Sequence, residues 1–183
     1  MVPAARQTRY ARAMSDPQRA PTWALAVGTF FGAGLSQKAP GTVGSLASLV
    51  LWAPLALLDV AWWLRALVAL ALFALGTVAA DAVVRGEGRE DPQKIVIDEV
   101  VGMGLTLLFS STVASLVLGT ALFRFFDIAK PWPVSVADRR VKGGFGVMLD
   151  DVLAAGYALA ALLLLERGLW PLVAARWFAG ATP

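Results

Sequence analysis

Histidine and cysteine are both missing from this chain of 183 residues. Without cysteine there is no disulfide, no thiolate nucleophile and no thiol-based metal site, and cysteine usage says nothing about the redox compartment. Without histidine the usual general base and the commonest transition-metal ligand are gone. Any chemistry has to run on carboxylates, lysine, arginine, hydroxyls or a metal ion. Charge is scarce as well, at 16% of residues against about 25% in an ordinary soluble domain. Linker-like Pro/Ser/Gly tracts and internal repeats are also lacking, so residues 1–183 read as a single domain.

Apolar residues fill the gap. They make up 58% of the sequence and give a mean hydropathy of +0.67, above the roughly 45–50% apolar share of soluble domains. That implies a membrane. The net charge of +3 comes from basic residues scattered among loops, with no continuous stripe, so nucleic acid is not the expected partner. An anionic membrane surface or anionic substrate fits better. The basic arm over residues 1–20 carries Arg6, Arg9, Arg12 and Arg19 against Asp16, and it reads as a cytoplasmic leader to a membrane segment.

Apolar segments fall at about 23–35, 43–64, 64–80, 95–109, 112–126 and 147–165. They are rich in Ala and Leu rather than alternating and β-branched, so the expected class is all-α: a multi-pass membrane helical bundle. Residues 43–58 and 64–80 suit a helical hairpin whose far, periplasmic end is marked by Asp59 and Arg65. Residues 95–109 and 112–126 suit a second, turning at Ser110–Ser111–Thr112. The run 147–165 is the clearest span. The glycine-containing 23–35 is too short to cross and fits a re-entrant or interfacial helix. Loops 36–42, 81–97 and 127–146 then share the side of the N-terminal arginines, in keeping with the positive-inside bias. Several tryptophans, among them Trp62, Trp63, Trp132 and Trp170, fall near segment ends, as interfacial anchors do.

This arrangement gathers carboxylates. Asp98 and Glu99 open one helix in IVIDEVVGM, Asp127 closes the next in LFRFFDIAKPWP, and Asp150 and Asp151 lie in the first turns of the last in GGFGVMLDDVLAAG. Acids in a first turn are favoured by the helix dipole alone, by about 0.3–1 kcal/mol each. Two pairs plus Asp127 go beyond that, because ionisable groups at membrane segments mark ion or substrate sites. An all-carboxylate set suits a hard cation such as Mg²⁺. Arg124 and Lys130 each stand three residues from Asp127, which permits ordinary surface salt bridges but also suits a phosphorylated ligand. Asp138, Arg139, Arg140 and Lys142 follow in a loop that an ordinary solvated segment would equally explain. In SQKAPGTVGS, Thr42 is expected to cap a helix starting near Val43; with Ser45 close by, such a helix N-terminus suits phosphate, although this pattern is neither a Walker A loop nor a dinucleotide fingerprint.

The blocks PGTVGS, IVIDEVVGM, FRFFDIAKPWP and DRRVKGGFGVMLDDVLAAG resemble one family, phosphatidylglycerophosphatase A, bacterial lipid phosphatases of the inner membrane. The resemblance runs from about residue 23 to 166. It implies Mg²⁺-dependent removal of the terminal phosphate of phosphatidylglycerophosphate, giving phosphatidylglycerol and phosphate at the cytoplasmic face. It also implies acidic site positions at Asp98, Glu99, Asp127, Asp150 and Asp151, with Arg124, Lys130 and Arg139 as basic partners. Phosphohistidine and phosphocysteine routes are excluded by composition. Water activated by carboxylate-held Mg²⁺ is the favoured route; direct attack by an aspartate is the other. Two competing readings are an ion-coupled carrier, which expects charges in mid-span, and a CDP-alcohol phosphotransferase, whose Asp-Gly…Ala-Arg…Gly-x-x-x-Asp-x-x-x-Asp spacing is absent. The sequence assigns no oligomeric state.

Overall fold

A computed structural model of the chain describes residues 20–89 and 92–169. The basic arm up to Arg19 and the tail from Trp170 lie outside the described residues. Those described form seven α-helices and no strand: α1 Thr22–Gly28, α2 Pro40–Leu57, α3 Trp62–Glu87, α4 Ile97–Thr106, α5 Val113–Ala129, α6 Val134–Arg140 and α7 Gly144–Leu163. A 3₁₀ turn at Ala33–Leu35 follows α1, and a wider π turn over Leu164–Leu169 extends α7.

Among the described residues, three helices are long and apolar enough to cross a membrane: α2, α3, and α7 with its extension to Gly168. Their outer faces carry Val50, Leu67, Leu70 and Leu164, all exposed, which suits helices whose solvent is lipid. The short segment expected over 23–35 forms α1 and the 3₁₀ turn, and α1 packs on α3. Its carbonyl at Gly28 accepts from Val96 N at 2.8 Å.

At ten residues α4 is short, yet it is the hub, packed against α2, α3 and α7. Glycines make that possible, because small residues let membrane helices approach closely. A Cβ on Gly104 would lie 2.2 Å from the Trp52 ring, and one on Gly102 would lie 2.4 Å from Phe123. Trp52 is therefore a core residue rather than an interfacial anchor; its indole Nε1 donates to the Val100 carbonyl at 2.8 Å. The chain does turn back at Leu58–Val60 between α2 and α3, while α4 packs against both arms of that turn. The second turn falls where Ser110–Ser111–Thr112 was expected, with Thr112 capping α5 by accepting from Ser115 N at 3.1 Å. Arg65 ties the two turns together, donating to Val60, Leu107 and Ser110 carbonyls at 2.7, 3.3 and 2.6 Å. Both turns thus share one end of the bundle.

One boundary differs from expectation. Helix α2 starts at Pro40, not near Val43, and its N-cap is Ala39 in a left-handed conformation with φ 47°. Proline at the first helical position has a fixed φ suited to the helix and lacks an N–H that would be unpaired there anyway. Thr42 therefore lies inside the first turn and caps nothing.

Candidate active site

The opposite end of the bundle is assembled by backbone close approaches. Gly143 has φ 78°, a conformation costly for side chains bearing a Cβ. Gly144 N then donates to Asp81 Oδ1 at 3.1 Å, and a Cβ on Gly144 would sit 2.2 Å from the Thr77 carbonyl oxygen. The GGFG stretch thereby seats the start of α7 directly on α3. Two turns further on, Asp150 and Asp151 face the head of α4, where Asp98 and Glu99 begin. The contact falls where α3 leaves its apolar run and acquires Asp81, Arg85 and Glu87, and one turn further along α7 Met148 already meets Gly76 within that run, as Ile97 of α4 does.

Between these helices lies a cleft of about 160 Å³, lined by Asp98, Glu99, Asp127, Lys130, Asp138, Lys142, Asp150 and Asp151 with small apolar neighbours. All five expected acids line it. One oxygen from each of Asp98, Glu99 and Asp151 lies within 4.8 Å of the others. Glu99 Oε2, Asp151 Oδ2 and Arg124 Nε are buried without a hydrogen-bond partner among the described residues. Burial raises the Asp98 carboxyl well above its ordinary pKa, helped by the neighbouring Glu99 and Asp151 charges. Burial likewise raises Glu99, against hydrogen bonding with Asp98. Carboxylates gathered away from water resist full ionisation unless positive charge stands among them.

Two of the expected cations serve this end. Arg124 Nη1 donates to Asp127 Oδ2 at 2.6 Å and to the buried Ser45 hydroxyl at 3.4 Å, and stands 3.9 Å from Glu99 Oε1. Lys130 caps α5 in a left-handed conformation, φ 41°, which turns its side chain away from the helix it ends. It bonds Asp138 at 2.5 Å and Asp150 at 2.8 Å, in place of the expected i, i+3 pairing with Asp127. Burial works against its charge, but the two carboxylates outweigh that and hold its pKa above the ordinary lysine value.

Arg139 does not line the cleft. It is exposed and donates to the Ser135 carbonyl at 2.9 Å, because Asp138 takes the inward face of α6 and the next residue points about 100° away. Lys142 lines the cleft instead. Thr42 is partly buried and also absent from the lining, whereas Ser45 reaches the site through Arg124. Sequence reasoning missed Asp138, hidden in a string that looks basic, and Gly41, whose added Cβ would lie 2.3 Å from Glu99 Oε1.

Fold and site together define a helical membrane protein with a carboxylate-lined cleft flanked by cations. The family described as Phosphatidylglycerophosphatase A matches residues 26–166. A relative of that name from Escherichia coli (strain K12) is 39% identical over 153 residues, covering 81% of this chain and 84% of the relative. Another from Haemophilus influenzae is 40% identical over 149 residues, covering 80% and 89%. A Bacteroides thetaiotaomicron protein, provisionally named a phosphatidylinositol-3-phosphatase, is 41% identical over 140 residues, covering 72% and 86%. No solved structure matches the chain. The chain belongs to the phosphatidylglycerophosphatase A family.

Proposed function

We propose that the protein hydrolyses phosphatidylglycerophosphate to phosphatidylglycerol and inorganic phosphate, with Mg²⁺ as cofactor, at the cytoplasmic face of the bacterial inner membrane. The observation that carries this reading is the convergence of Asp98, Glu99 and Asp151, with two buried oxygens left unpaired, beside Arg124 and Lys130 at the polar end of apolar helices. The names of two relatives supply the substrate.

The donor set fits Mg²⁺, since it is all hard oxygen and includes carboxylate oxygens with unused lone pairs. Asp98, Glu99 and Asp151 would hold the ion, with Asp127 and Asp150 beside them. When bound, it would supply Lewis-acid stabilisation of phosphoryl oxygen charge. The chain's own residues do the rest. Lys130 has one donor beyond those bonded to Asp138 and Asp150 and can meet a phosphoryl oxygen as charge grows there. Arg124 keeps Asp127 in place through its 2.6 Å bond. A cleft carboxylate within reach of the attacking water would take its proton. Holding the site at the end of the apolar helices allows the acyl chains to stay in the bilayer while the headgroup reacts.

The test is phosphate release by the purified protein from phosphatidylglycerophosphate, phosphatidic acid, phosphatidylinositol 3-phosphate and a soluble phosphomonoester, each with and without a chelator. Preferred, chelator-sensitive hydrolysis of phosphatidylglycerophosphate is expected. Faster release from phosphatidylinositol 3-phosphate would move the assignment to the chemistry named for the Bacteroides relative. Oxygen-18 entering an enzyme carboxylate from labelled water in a single turnover would replace direct water attack by an aspartyl intermediate.

A further inference from the structure

The cleft has two unlike halves. On one side Asp98, Glu99 and Asp151 bring their oxygens within 4.8 Å of one another, and Asp151, only 3% exposed, keeps Oδ2 unpaired. On the other side, the carboxylates of Asp138 on α6 and Asp150 on α7 already share a cation, the Lys130 ammonium, at 2.5 and 2.8 Å. Phosphoryl-transfer sites commonly set two positive centres about 3.5–4 Å apart to clamp the attacking and leaving oxygens. An ammonium is a compact point charge with three donors. With two N–H groups committed to carboxylates, one remains for a ligand. A divalent ion entering between Asp138 and Asp150 would meet like charge at contact distance and would have to expel the lysine.

The geometry points to a one-metal cleft in which the Lys130 ammonium, held in place by Asp138, stands where a two-metal phosphatase has its second ion. Asp138 is then a positioning residue: it acts through Lys130, and its removal loosens the lysine without disturbing the Asp98–Glu99–Asp151 group. This inference rests on the proposed cofactor reading and extends it to ion number and to a residue outside the expected site.

The experiment counts Mn²⁺, as probe, on the purified full-length chain in detergent micelles by equilibrium binding and electron paramagnetic resonance. One uncoupled ion per chain is expected for the wild type and for Lys130→Arg, and two for Lys130→Met. Two ions in the wild type, or an exchange-coupled pair, overturn the inference while leaving the cofactor reading in place. One ion in Lys130→Met overturns it too, because the ammonium then holds no cation's position. No ion on the wild type removes the cofactor reading and this inference with it. Should Lys130→Met fail to fold by circular dichroism, the wild-type count and Asp138→Asn still decide. Asp138→Asn is expected to bind one ion and to weaken inhibition by inorganic phosphate about tenfold, with recovery in Asp138→Glu. Unchanged phosphate inhibition in Asp138→Asn overturns the positioning role.

Discussion

At one end of the bundle Arg65 is buried and donates to three backbone carbonyls from two separate turns. Its ion pair with Asp59, at 3.9 Å and with Asp59 87% exposed, adds little, as solvent-exposed partners are screened. Among the described residues, the buried atoms left unpaired there are the Thr106 and Ser110 hydroxyls, both neutral. At the other end the unpaired buried atoms belong to charged groups: Glu99, Asp151 and Arg124. Leaving a charged group's atom unsatisfied costs more than leaving a hydroxyl so, by roughly a kcal/mol or more. One end therefore uses its charge to fasten backbone, and the other holds charge in reserve for a ligand.

The sharpest way to break this contrast is to neutralise the reserve. Asp98→Asn and Asp151→Asn are each expected to lower kcat/KM by about a thousandfold, while circular dichroism and membrane retention stay at wild-type values. Wild-type phosphate release from both would remove these residues from the site. A smaller loss, about a hundredfold, is expected for Arg124→Ala, measured by the same assay. Arg124→Lys should recover only part of it, because an ammonium lacks the planar fork with which Arg124 serves Asp127, Ser45 and Glu99 together.

Smaller still is Gly41→Ala. The new Cβ would lie 2.3 Å from Glu99 Oε1 and 3.2 Å from Arg124 Nη1, so the carboxylate has to move. That atom is the far end of a flexible side chain, so stability should hardly change while kcat/KM falls about tenfold, as misplacing a catalytic group does. Equal activity in Gly41→Ala and wild type would show that the position of Glu99 does not matter.

Much of this was legible in the sequence because lipid makes simple demands. Apolar runs with few charges become helices, since backbone groups in a bilayer must bond within their own segment, and acids at the ends of three runs on one side converge once the chain turns back twice. What escaped reading depended on packing. The short α4 reads as one more membrane segment, and only Trp52 and Phe123 lying over Gly104 and Gly102 make it the hub. The start of α2 was displaced by Pro40, which suits a first helical position better than Thr42 suits a cap. Arg139 and Asp138 are neighbours in sequence, and the register of the seven-residue α6 decides which of them faces the cleft. Lys130 turned to Asp138 and Asp150 because its backbone is left-handed, which helical i, i+3 counting does not anticipate.

The smallest effect on turnover is expected at the far end, and it tests whether the two ends are separate. Arg65→Met keeps much of the buried aliphatic volume but takes the guanidinium donor from the carbonyls of Val60 and Ser110, while the Leu107 carbonyl keeps the Ser110 N–H at 3.1 Å. Each buried carbonyl so stranded costs about 1–3 kcal/mol unless water or a shift of the turn relieves it, so a net destabilisation of about 2–3 kcal/mol is expected. Unfolding in one detergent, followed by circular dichroism, measures it. Among the molecules still folded, phosphate release should stay within about twofold of wild type, since Val60, Leu107, Ser110 and Asp59, the partners of Arg65, do not line the cleft and distant sites act nearly independently. A large fall in kcat without lost stability would mean that the turns transmit strain through α4 to Asp98 and Glu99. The arginine end would then be part of the active site's support rather than a fastening of its own.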